Sequence, residues 1–172
     1  MNRGVFLSVP GPALEPFRAV QDFVDRLVGG TLNRSSGRVP HVTLIYYGEV
    51  ERLDSLNGVV TNFTQTLRGD RPFSTTGFKV FRKDDGGRVL ALEVDRPHWL
   101  DDYRKTLFER TGAFCTARQF PTWEPHLTLG TTPAGVDVDG LTVPEHLHLA
   151  GWVNGLELHV KGRDPLRCAF RP

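Results

Sequence analysis

Val39-Pro40-His41-Val42-Thr43-Leu44 is echoed, 85 positions on, by Glu124-Pro125-His126-Leu127-Thr128-Leu129. Successive side chains of a strand point to opposite faces, so His41 and Thr43 share one face while Val42 and Leu44 share the other. His126 and Thr128 repeat the arrangement, backed by Leu127 and Leu129. Each stretch is therefore a half-buried strand with two polar groups on its open side. Folding does not require two imidazoles and two hydroxyls to gather; burying them costs free energy unless each finds a partner. The same proline before and the same leucine after both His-x-Thr triplets mark a site. Its candidate catalytic residues are His41, Thr43, His126 and Thr128.

Outward from the motifs, the chain alternates between the two periodicities. Gly4 to Pro10 reads as a strand closed by Pro-Gly-Pro. Leu14, Phe17, Val20, Val24, Leu27 and Val28 then recur at threes and fours, an amphipathic helix stopped by Gly29-Gly30. A polar loop, Thr31 to Arg38, leads into a strand from His41 to Gly48. Leu53, Leu56, Val60, Phe63 and Leu67 mark a second helix. Phe73 to Phe81 and Val89 to Val94 read as strands joined through Asp84-Asp85-Gly86-Gly87, a hairpin signal. A third helix after Pro97 carries Leu100, Tyr103 and Leu107 on one face. A loop from Cys115 to Pro125 then leads into a strand from His126 to Gly130. Thr131 to Val143 reads as loop, and Gly155 to Lys161 alternates as a last clear strand.

Both motifs thus follow a helix and an Arg-containing loop, the layout of a duplicated lobe. The expected fold is α+β: two antiparallel sheets around a central cleft, with helices on the outer faces. No linker divides the chain, so residues 1–172 are expected to form one domain of two pseudo-symmetric lobes.

The chain has 172 residues, 39% hydrophobic and 24% charged, which favours a folded core over disorder. Net charge is +1, so no general basic field attracts polyanions, and any phosphate chain must be met by local arginines. Arg34, Arg38 and Arg118, in the loops before the motifs, are candidates for that contact. Tyr46, Phe120 and Trp123 are candidates for stacking a base. Cys115 and Cys168 form no disulfide framework and no metal knuckle, and read as two thiols of a reducing compartment. The apolar run Val5 to Val9 is too short for a signal sequence or a membrane span. A cytoplasmic monomer without an obligate protein partner is the expectation.

The paired motif resembles that of the two-histidine (2H) phosphoesterase superfamily, and in particular its RNA 2′,3′-cyclic phosphodiesterase or 2′-5′ RNA ligase-like branch. The likeness spans nearly the whole chain, from the opening strand and helix through His-Val-Thr-Leu-Ile-Tyr-Tyr-Gly-Glu-Val to Pro-His-Leu-Thr-Leu-Gly. Gly130 departs from the pattern, since many relatives carry a small residue and then arginine after the second motif. Cys168-Ala169-Phe170 lacks the tyrosine often found near the end. The resemblance implies a cyclic phosphodiesterase without metal or other cofactor, acting on RNA 3′ ends or nucleotides that carry a 2′,3′-cyclic phosphate. It further implies a 2′-phosphate product, a possible reverse 2′-5′ ligation, and His41 as acid with His126 as base. The symmetry of the motifs leaves that last division open.

The residues themselves suit such chemistry. Opening a cyclic phosphate needs a base for water and an acid for the departing ribose oxygen, and imidazole titrates close enough to neutrality to serve as either. Thr43 and Thr128 would hold the non-bridging oxygens. Three rivals remain. One is a phosphodiesterase for small cyclic or 2′-5′-linked nucleotides. Another is a binding module without catalysis. The third is a zinc site at His146-Leu147-His148 with His159, which lacks an acidic or cysteine partner at suitable spacing; otherwise these three are surface histidines.

Overall fold

The three apolar stripes at helical spacing do fold as helices, and none is held by a side-chain cap at its start. Their buried faces hold them instead: Phe17, Val20 and Val24 in the first, Leu56, Val60 and Phe63 in the second, Leu100, Tyr103 and Leu107 in the third. The computed structural model describes residues 1–11, 13–35, 40–119 and 122–172; Arg38 and Phe120 lie outside them. Among the described residues the elements are β1 (Asn2–Pro10), α1 (Leu14–Leu27), β2 (Asn33–Arg34), β3 (His41–Val50), α2 (Leu53–Thr64) and β4 (Arg71–Arg82). There follow β5 (Arg88–Val94), α3 (His98–Thr111), β6 (His126–Thr132), β7 (Ala150–Val153), β8 (Gly155–His159) and β9 (Leu166–Ala169).

The strands make two antiparallel sheets, ordered β3-β1-β8-β9 and β2-β6-β5-β4-β7. The fold is α+β, as expected. In the first sheet β1 lies between β3 and β8, and α1 links β1 to β3. In the second, β5 lies between β6 and β4, and α3 links β5 towards β6. The registers agree as well. Pro10 faces His41 and, four residues earlier, Phe6 faces His159; Glu93 faces His126 and, four residues earlier, Val89 faces Phe81. We infer from this correspondence a single unit of two pseudo-symmetric lobes, with β8 and β9 returning from the C-terminus to complete the first.

The back faces of the strands feed one contiguous core. Val5, Leu7 and Val9 of β1, Val42 and Leu44 of β3, Leu127 and Leu129 of β6, and Leu156 and Leu158 of β8 are all buried in it with the helix faces. Two elements differ from expectation. The loop from Thr31 contains β2, because Asn33 and Arg34 pair with Thr131 and Gly130 at the edge of β6. Ala150–Val153 is a strand against Arg71–Ser74, too short and too irregular in pattern to signal itself. No helix of the described residues is long and apolar enough to cross a membrane. Both cysteines are free thiols, Cys168 buried and Cys115 partly so.

Candidate active site

The strand parity drawn from the motifs holds in three dimensions. Val42, Leu44, Leu127 and Leu129 are buried, whereas His41, Thr43, His126 and Thr128 are each half-buried on the opposite faces. The two motifs meet at Gly11, whose amide donates to the Pro40 carbonyl. A Cβ there would stand 2.8 Å from that oxygen and 3.2 Å from the Leu127 side chain. Only glycine lets β1 leave the sheet between the two motif strands. Trp123 ties them again, its indole N–H donating to the Thr43 carbonyl at 3.0 Å.

His126 Nδ1 lies 2.7 Å from the Glu124 carbonyl. A carbonyl oxygen only accepts, so Nδ1 carries the proton and a neutral His126 presents Nε2 as its basic atom. Phe81 packs against the ring, centroid to centroid at 4.7 Å.

A pocket of about 410 Å³ is lined by Thr43, Tyr46, Phe81, Arg104, Trp123 and His126, with Arg82, Gln119 and Thr122 among the rest; His41 and Thr128 are not part of its lining. Sequence patterning does not single out Phe81, Arg82 or Arg104. Arg104 sits on the helix α3, on the flank of the stripe that carries Leu100 and Leu107. Its guanidinium lies 5.0 Å from the Trp123 ring and that of Arg96 lies 5.3 Å away. Burial, with the neighbouring Arg96 charge, presses Arg104 below the ordinary arginine range. Its Nε is shielded from solvent with no hydrogen-bond partner among the described residues.

The other expected contacts are distributed unevenly. Tyr46 stands at the pocket rim, 47% exposed. Trp123 forms a wall. Arg34 is turned towards α1, in ion pairs with Asp22 and Asp25, and does not line the pocket; nor does the exposed Arg118. His146 lies on a short 3-10 turn, Glu145–Leu147, and His148 directly follows it. His159 is no surface residue: it is 4% exposed on β8, its ring 5.0 Å from that of His41. Glu157 and Ser8 lie buried around it.

Gly130 acquires a local reason. A Cβ at this position would fall 2.5 Å from the Asn33 carbonyl and 3.0 Å from Arg34 Cα, so the pairing of β2 on β6 excludes any side chain there. Gln21 of α1, also buried, donates to the Leu129 carbonyl at 2.7 Å and fastens the helix to the same strand.

The sequence profile of the 2′-5′ RNA ligase superfamily matches residues 5–164. By sequence, no curated protein matches significantly. By structure, the chain is similar to E. coli LigT in its apo form, at TM-score 0.67 and 20% identity over 99% of both chains. It is also similar to TT0787 of Thermus thermophilus (TM-score 0.69, 18% identity, 96% of this chain and 94% of that one). Kluyveromyces marxianus Usb1 is a third neighbour, at TM-score 0.65 and 15% identity over 96% and 97% of the two chains. With the profile covering nearly its full length and this fold around the paired motifs, the chain belongs to the 2′-5′ RNA ligase superfamily of two-histidine phosphoesterases.

Proposed function

We propose that this protein is a phosphodiesterase that opens 2′,3′-cyclic phosphates to 2′-phosphates, using His41 and His126 for the two proton transfers. The observation that supports the reading is the pair of equivalent His-x-Thr strands, β3 and β6, whose four polar side chains lie opposite the core, with Thr43 and His126 lining one pocket. Water attacks phosphorus as His126 Nε2 takes its proton. The bond from phosphorus to O3′ breaks, and the imidazolium of His41 gives O3′ a proton, so each histidine ends in the other's starting state. Thr43 and Thr128 donate to the non-bridging oxygens, where charge grows in the transition state. Tyr46 offers a face for the base, and Arg104, which lines the pocket, suits a flanking phosphate. An attacking 5′-hydroxyl in place of water would run the ligation direction.

Two observations favour a nucleotide-sized substrate over a long RNA: the pocket is compact and the net charge is only +1. One substrate panel tests both readings, with 2′,3′-cyclic mononucleotides, RNA ending in a cyclic phosphate, and 2′-5′-linked dinucleotides, products being assigned by NMR. Turnover of a cyclic phosphate to the 2′-phosphate, undiminished after exhaustive EDTA treatment, is expected. A 3′-phosphate product would reverse the leaving group. Activity lost on chelation and restored by a divalent cation would defeat the two-imidazole mechanism.

A further inference from the structure

The face of the first sheet that carries His41 and Thr43 also carries Ser8 and Phe6 of β1 and Glu157 and His159 of β8. Ser8 faces Thr43 on one side and Glu157 on the other, and Phe6 faces His159. Ser8 is fully buried, and Glu157 and His159 are nearly so. His159 Nε2 lies 2.8 Å from Ser8 Oγ and 3.4 Å from a Glu157 carboxylate oxygen. Its ring lies flat on Phe6, 4.4 Å away and 4° from parallel, while His41 packs on the same Phe6 at 5.2 Å. His41 and His159 are therefore neighbours in one aromatic cluster, and His159 also meets the Glu157 carboxylate.

A buried Glu–His pair is no gain for folding, since apolar residues of similar volume serve stability as well or better. The second sheet makes this comparison within the same molecule. Where His159 stands against His41, the equivalent register position beside His126 holds Phe81. Where Ser8 faces Glu157, Ala91 faces Lys79, and Lys79 is engaged by Glu93 and Glu124 at 3.5 and 3.2 Å. The duplicated frame thus places a phenylalanine ring against His126 where a histidine ring stands against His41, while Glu93 and Glu124 on the His126 side are paired with Lys79.

We propose that Glu157, whose carboxylate His159 holds, is a positioning residue that makes His41 the proton donor of the pair, an assignment that rests on the phosphodiesterase reading above. Among the described residues, the ionisable and charged groups on this face of the sheet include Glu157 and His159 of β8, with Arg167 of β9 facing Glu157; β1 presents Phe6, Ser8 and Pro10, and His126 belongs to the neighbouring motif strand. The hydrogen bond with His159 holds the Glu157 carboxyl below its usual range, with smaller contributions from Arg167 and His41 in the same direction. The influence is mutual: a carboxylate that gains from a charged His41 also favours His41 in its protonated form. His126 packs against Phe81 and donates through Nδ1 to the Glu124 carbonyl, which leaves Nε2 as the atom that can take a proton. Environments that separate two like groups assign acid and base.

The test is an NMR titration of the His41 and His126 ring resonances without substrate, in wild type, Glu157→Gln, Glu157→Asp and His159→Gln, alongside the pH profile of kcat/KM. Glu157→Gln should lower the His41 midpoint by at least about half a pH unit and leave His126 within a smaller range. The kinetic limb belonging to His41 should move acidward with it, with KM unchanged. Glu157→Asp keeps the charge and should restore the midpoint, and His159→Gln keeps the carboxylate and should hold it at or above wild type. An unmoved His41 in folded Glu157→Gln overturns the proposal, as does an equal fall in His159→Gln or an equal shift at His126. Because the midpoints need no turnover, a protein inert towards cyclic phosphates would refute the proposed function while the positioning of His41 was still read directly.

Discussion

A threonine two places after each histidine is the smallest unit that distinguishes this site from a pair of structural histidines. Thr43 and Thr128 share their faces with the imidazoles, and each hydroxyl sits on a strand whose other face is locked in the core. Removing either donor should slow turnover by about tenfold to a thousandfold, the range for a lost oxyanion donor. Thr43→Ser and Thr128→Ser should retain more activity than Thr43→Val and Thr128→Val, since serine keeps the hydroxyl and valine keeps the shape. Equal rates for the serine and valine variants would make the hydroxyls structural. The shared strand face of these four residues was legible because the pattern occurs twice. His159 was not: Glu157 and His159 alternate with Leu156 and Leu158, which in sequence is simply a strand with a polar side. Only the pairing of β8 with β1 reveals that this side faces His41.

Among the elements, long periodic runs declared themselves and short ones did not. The three helices and the strands β1, β3, β4, β5, β6 and β8 fall within a few residues of their patterns. β2, two residues long, has no periodicity to read, and its evidence was hidden in its partner, as a glycine. Gly130 pairs with Arg34, and the Asn33 carbonyl occupies the place of a Cβ. Gly130→Ala should therefore push β2 off β6 and cost about 1–3 kcal/mol, the usual penalty of overpacking. Denaturant unfolding with an unchanged slope and a lower midpoint is the expected result. A variant as stable as wild type would mean that β2 is free to move aside. The sequence departure at Gly130 thus reflects an edge strand next to the motif, an explanation local to this chain's backbone.

At the scale of the molecule, the candidate site spans two sheets built from distant parts of the chain. His41 is carried by the first sheet and His126 by the second, with Gly11 and Trp123 closing the seam between their strands. If the two imidazoles serve one displacement, they act as a unit across that seam. kcat/KM should be bell-shaped in pH, one limb reporting the histidine that must be neutral and the other the one that must be charged. His41→Ala and His126→Ala should each lower kcat by roughly a hundredfold to ten-thousandfold. The double variant should fall little below the worse single one, because a base without its acid already leaves one transfer unassisted. Each single variant should lose one limb. With His41 as donor, His41→Ala loses the alkaline limb, where the acid would deprotonate, and His126→Ala loses the acidic limb, where the base would be protonated. Independent, multiplying losses in the folded double variant would separate the histidines into unrelated roles, and normal turnover by either single variant would remove the site altogether.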